Sequence, residues 1–152
     1  MVLPFHTVTK SAEETKALGA QFGTYLLKEA GQDTIAQVIC CWGDLGSGKT
    51  TFVQGLAYGL GISKRLLSPT FIIVRHYDVL NSDKKLHHFD LYRFQSENDL
   101  ASIGLSEILV QQKTIVCIEW PERLGSHLPK SRIDVRCSVN ADDSHSIEII
   151  KI

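Results

Sequence analysis

Between residues 42 and 52 the chain reads WGDLGSGKTTF, a stretch holding three glycines, one lysine and two threonines. Gly43, Gly48, Lys49 and Thr50 meet the spacing GxxxxGK[ST] at every fixed position. Each residue type has a physical task in such a loop. Glycine lets the backbone curl until successive N–H groups point at one spot, which suits an anion. A helix starting there adds about half a positive charge at the same place. Lys49 supplies a cation for β- and γ-phosphates, and Thr50 a hydroxyl for Mg²⁺. The flanks fit: IAQVICCW at 35–42 is apolar like a strand covered on both faces, and 49–60 reads as a helix stopped near Gly59 and Gly61.

A phosphate cradle needs carboxylates for the metal and a group that places the nucleophile. Glu119 ends the apolar run Thr114–Ile118, and Asp90 ends His87-His88-Phe89. If both runs are strands beside the one before the loop, both acids emerge at its carboxyl edge. Residue type does not rank them between direct ligand, ligand through water and base. Thr70, after Pro69, can close on Mg²⁺ and the γ-phosphate as a switch, or bond its own backbone in a turn. His88 lies two residues from Asp90 and shares its strand face. With no third ligand for zinc, a hydrogen bond orienting Asp90 is the expected role. Arg93 can meet a phosphate or a carboxylate. Trp120 reads either as core or as a residue at the mouth of the site.

These residues need an α/β frame. The 152 residues, 43% apolar, suit one domain over 1–152. A formal net charge of -1 argues against gripping nucleic acid by the whole surface. No apolar run is long enough to span a membrane, and MVLPFHTVTK lacks a secretory pattern. Cys40, Cys41, Cys117 and Cys137 have neither CxxC nor zinc spacing and read as buried reduced thiols of a cytosolic protein. Residues 3–9 suit a short strand, and Ser11 with Glu14 a capping box that opens a helix ending at Gly31. Phe71–Val79 and Leu86–Leu91 suit a hairpin, and 96–112 a helix broken at Gly104. In the tail Ile133, Val135, Cys137 and Val139 alternate with Arg132, Asp134, Arg136 and Ser138, and 147–152 returns as an antiparallel partner. The whole predicts a three-layer P-loop NTPase-like domain with a mixed sheet, parallel in the centre and antiparallel at the flanks.

Four stretches together, GDLGSGKTT at 43–51, SPTF at 68–71, HFDLYR at 88–93 and EWPE at 119–122, resemble the TsaE family, older name YjeE, along nearly the whole chain. The resemblance implies a cytoplasmic ATPase, weak alone, required for threonylcarbamoyladenosine formation on tRNA. It implies ATP and Mg²⁺ as cofactors. Its implied partners are the tRNA-modifying transferase and that enzyme's dimerising companion, whose complex ATP hydrolysis resets. Nucleotide contacts would come from Gly43, Asp44, Leu45, Gly46, Ser47, Gly48, Lys49, Thr50 and Thr51, with Trp120 beside the site and Thr9 near the base. Metal contacts would come from Thr50, Asp90 and Glu119, with Glu119 in the Walker B place. Lys49, Thr70, Asp90 and Glu119 would carry the catalysis. Ser47 stands where the family often has alanine.

Two rival readings follow from the same loop. A small-molecule kinase of this fold usually carries an arginine-rich lid, whereas after residue 90 only Arg93 and Arg123 lie near the motifs. A guanine-nucleotide switch would need an N-K-x-D to read its base, and the chain has none.

Overall fold

The computed structural model describes residues 1–29, 35–63, 73–94, 100 and 102–152. Thr70, with Ser68, Pro69 and Phe71, lies outside them, as does Gly31.

Among the described residues seven strands form one sheet: β1 (Phe5–Thr9), β2 (Gln37–Trp42), β3 (Val74–Asp78), β4 (Lys85–Asp90), β5 (Thr114–Glu119), β6 (Ile133–Val139) and β7 (His145–Lys151). Their order across the sheet is β1-β7-β6-β2-β5-β4-β3. β6, β2, β5 and β4 run parallel, while β7, β1 and β3 are antiparallel to their neighbours. The mixed sheet expected from the sequence is therefore present. β5 is buried at all six positions, as an apolar run in a parallel centre must be.

Helices α1 (Ala12–Glu29) and α2 (Lys49–Gly59) cover one face. Phe22, Phe52, Leu56, Ile39, Ile115 and Ile147 fill the layer between them and the sheet. Each such side chain contributes about 1.5–3 kcal/mol on burial. The other face meets α3 (Leu105–Leu109) and a 3₁₀ segment, Pro121–His127, over Phe89, Val116, Ile118 and Leu124. Two helical layers around one sheet complete the three-layer arrangement.

Local signals decide the element ends. Ser11 Oγ accepts from the Glu14 N–H at 3.2 Å, and Glu14 reaches the Lys10 N–H at 2.6 Å rather than that of Ser11. The cap thus holds one residue earlier than a regular capping box. Helix α2 closes where the Gly61 N–H donates to Tyr58 O and the Ile62 N–H to Ala57 O, with Gly61 at φ 78. The break expected at Gly104 is present: at φ 66 it caps α3, which ends at Leu109, short of the expected 112, while residues 95–99 and 101 of the stretch before it lie outside the described residues. In β6 the alternation holds, but Asp134 is buried despite its polar face because Arg132 at 2.8 Å and Arg136 at 3.5 Å pair with it. All four cysteines are buried and free. Burial raises the Cys137 thiol to about 12, so it packs as a neutral apolar group.

Candidate functional site

The loop from Gly43 to Gly48 joins β2 to α2 at the carboxyl edge of the parallel strands. Gly43 must be glycine because a Cβ there would lie 2.1 Å from the carbonyl oxygen of Cys137 on β6. Gly48, just before α2, has φ 95, a left-handed conformation that a side chain disfavours. The first turn of α2 carries no acid, so its N–H groups and dipole keep their positive character.

Lys49 is only 4% exposed. Its ammonium donates to Gly43 O at 2.6 Å and Asp44 O at 2.7 Å, and lies 4.0 Å from the centre of the Trp120 ring. A buried cation held by neutral dipoles and a π face keeps its full charge available to an anion. Thr50 Oγ1 donates to Glu119 Oε2 at 2.7 Å. Glu119 is 1% exposed, and its other oxygen accepts from His88 Nε2 at 2.8 Å. A carboxylate only accepts, so His88 carries its proton on Nε2 toward Glu119. This corrects the expected partner of His88, which holds Glu119 rather than Asp90. The reason is register: β4 and β5 are parallel with His88 opposite Cys117 and Asp90 opposite Glu119, so the imidazole reaches along the shared face to the neighbouring strand. Asp90 Oδ1 accepts from the Tyr92 N–H at 3.0 Å.

Trp120 follows Glu119 with φ 61 and ψ 50, left-handed for a bulky residue. Pro121 after it disfavours the right-handed alternative. The turn lays the indole on Lys49 and against Tyr92, whose ring centre is 5.0 Å away. Trp120 is thus at the site rather than in the interior alone.

These groups bound an open cavity of about 350 Å³, within the usual range for small-molecule sites. Gly46, Ser47, Gly48, Lys49, Thr50 and Thr51 form its floor, Asp90, Glu119, Tyr92 and Trp120 one end, and Ala12, Thr15 and His145 the other, with Leu45 at the loop tip. Gly43 and Asp44 shape the loop from behind through their carbonyls. Thr9 does not line the cavity: it is buried and its hydroxyl bonds that of Thr15 at 2.7 Å, so Thr15 holds the wall expected of Thr9. Thr15 and His145 carried no motif in the sequence. The only cue for Thr15 was its place one turn into the helix after Ser11.

The donor set suits a magnesium–triphosphate unit. A hydroxyl and two adjacent carboxylates with a nearby ammonium match an ion that takes one or two protein carboxylates and completes its shell with phosphate and water. Among the described residues no three or more His, Cys, Asp or Glu side chains group as a metal cage. Ser47 Oγ, buried on the cavity wall, has no hydrogen-bond partner among the described residues.

Strand order, loop and paired acids define a P-loop NTPase-like fold with its site at the carboxyl edge of a parallel centre. The TsaE family, described as threonylcarbamoyl adenosine biosynthesis protein TsaE, matches residues 9–147, and the chain belongs to that family. A protein of Treponema pallidum named tRNA threonylcarbamoyladenosine biosynthesis protein TsaE is 38% identical over 143 residues, covering 93% of this chain and 97% of its own. The protein of that name from Bacillus subtilis is 33% identical over 139 residues, covering 91% and 80%. A crystal structure of YdiB from Bacillus subtilis superposes with TM-score 0.74 at 30% identity, covering 98% of this chain and 86% of the other.

Proposed function

We propose that the chain is a Mg²⁺-dependent ATPase that supports threonylcarbamoyladenosine modification of tRNA in the cytoplasm, acting as one domain that docks on and resets the transferase complex. The family supports the pathway. One observation carries the chemistry: Thr50 and Glu119, 2.7 Å apart, stand beside a buried Lys49 at the start of α2.

Each residue then has a task. Lys49 and the α2 amides hold the β- and γ-phosphates and offset the charge that grows as the terminal phosphoryl group leaves. Thr50 and Glu119 would hold Mg²⁺, which would draw charge from the phosphate oxygens. His88 fixes the Glu119 carboxylate through its second oxygen. Asp90, opposite Glu119 across β4 and β5, orients the attacking water and takes its proton. The water oxygen bonds to the γ-phosphorus as the bond to the β-phosphate oxygen breaks, giving ADP and phosphate. Trp120 and Tyr92 cover Lys49 and limit water at that end.

A kinase would need cationic groups for an acceptor, and no arginine lines the cavity among the described residues. The test is phosphate release from ATP without any acceptor, measured alone and with the transferase complex. Slow release that the complex accelerates is expected. Release only when a small-molecule acceptor becomes phosphorylated would replace this reading with the kinase.

A further inference from the structure

We propose that His145 is a positioning residue of the phosphate loop, clamping the Ser47–Gly48 peptide so that the Gly48 N–H stays turned toward the bound phosphates. The inference rests on the phosphate-binding reading above.

His145 is the first residue of β7, and its Nδ1 lies 2.8 Å from the Ser47 carbonyl oxygen, 98 residues away in sequence. A carbonyl only accepts, so Nδ1 carries the proton. In a planar trans peptide the C=O and the following N–H point in opposite directions. Holding Ser47 O toward β7 therefore turns the Gly48 N–H the other way, away from β7. The competing state is a flip of this one peptide. It is within reach because Gly48, at φ 95, is the kind of residue that tolerates both orientations. The remaining ties on Ser47 are weak against such a flip. Its N–H donates to Asp44 O at 3.2 Å, and its buried hydroxyl has no partner among the described residues.

The ring is also a steric stop. A Cβ built on Gly48 would lie 3.0 Å from His145 Nδ1 and 3.7 Å from Thr15 Cγ2, so His145 and Thr15 close the space over the Gly48 Cα. β7 packs against β6, and the Cys137 carbonyl of β6 crowds Gly43. The antiparallel flank thus braces the loop at both ends, at Gly43 through backbone contact and at Ser47 through an imidazole.

The test compares His145→Ala, His145→Gln and His145→Asn by titration calorimetry with Mg-ADP and with Mg-pyrophosphate. Asparagine places an N–H donor near the position of Nδ1, whereas glutamine places it further out. Loss of about tenfold in affinity for both ligands is expected in the Ala and Gln variants, with Asn within about twofold of the parent chain. Wild-type-like pyrophosphate binding in His145→Ala would overturn the inference. So would equal losses in Asn and Gln, or a loss confined to ADP, which would make His145 a contact to the nucleoside. If the Ala variant fails to fold, the Asn–Gln pair decides alone. Lys49→Ala is the control: the parent chain failing to bind either ligand would remove the phosphate site itself, whereas binding that Lys49→Ala abolishes and His145 variants leave intact removes only the role of His145.

Discussion

Helices α1 and α2 approach most closely at glycines, which makes Gly55→Ala a test of what fixes the cavity. A Cβ on Gly55 would lie 2.0 Å from the Lys16 carbonyl oxygen of α1, where real Cβ contacts do not come below 3.0 Å. The helices must therefore part by about 1 Å, the difference of those two distances. The obstacle is backbone, so no rotamer change relieves it. Gly19, Gly23 and Gly59 are similarly tight, with Cβ atoms 2.2 Å from Phe52 O, 2.5 Å from Leu56 O and 2.1 Å from Ala20 O. Parting the helices loosens Leu18, Phe22, Phe52 and Leu56, all in the core between them. If each loses a quarter of roughly 2 kcal/mol, the cost is about 2 kcal/mol, and overpacking adds about 1–3 kcal/mol. Alanine returns about 1 kcal/mol of helix propensity. The net expectation is destabilisation by about 2–4 kcal/mol, a fall in Tm of about 4–15 °C for a domain of this size. Urea denaturation followed by circular dichroism measures it. A Gly55→Ala protein about 1 kcal/mol more stable, as propensity alone dictates, would show that the glycine contact does not set the helix spacing. Because Ala12 and Thr15 ride on α1 and the loop on α2, nucleotide affinity should fall in the same variant.

Three further outcomes follow from the site and its surroundings. Lys49→Ala should weaken ATP binding by at least about thirtyfold in equilibrium titration, since the lost cation leaves a desolvated anion site uncompensated. His88→Ala should leave ATP binding within a few-fold but lower turnover by about 10–100-fold, because Glu119 Oε1 loses the donor that fixes it; an unchanged kcat would detach His88 from the site. His87 is held at about 4, below its ordinary 6.5, by burial, then by His76 and Lys85. The unfolded chain therefore takes up this proton first, and the neutral-ring contribution is fully present above about pH 6.5 and lost as pH falls toward 4. Allowing for screening by water beside exposed His76, it amounts to about 2 kcal/mol. A pH series of urea midpoints on the parent and His87→Phe should show a shallower acid loss in the variant over that window.

The parts of the fold with one-dimensional signals were legible in the sequence. The apolar runs at 35–42 and 114–118 are central parallel strands because only doubly covered strands stay apolar on both faces. Register places Asp90 opposite Glu119, the neighbourhood that two strand-end acids suggested. Local tests of the chain do not reach across strands, however. His88 is two residues from Asp90 in sequence, yet its partner is 31 residues away, since a parallel register brings the next strand nearer than the same strand face. Thr15 and His145 were silent because neither residue type nor spacing marks a wall built by a helix start and a distant strand start. The break at Gly104 was legible because glycine is a poor helix-interior residue, and there it takes φ 66 and caps α3. The tight helix contact was equally hidden. Gly19 and Gly23, like Gly55 and Gly59, are four residues apart, but only the packed pair shows that each spacing is a contact ridge.

In the proposed function Lys49, Thr50 and Glu119 together form a site for a magnesium-bound triphosphate. Titrating ATP into the parent chain and into Glu119→Ala, each with Mg²⁺ and with EDTA, tests it most directly. Mg²⁺ is expected to tighten binding to the parent chain, and Glu119→Ala to remove this gain while metal-free binding persists. Equal ATP affinity with and without Mg²⁺ in the parent chain, or an undiminished Mg²⁺ effect in Glu119→Ala, would contradict it.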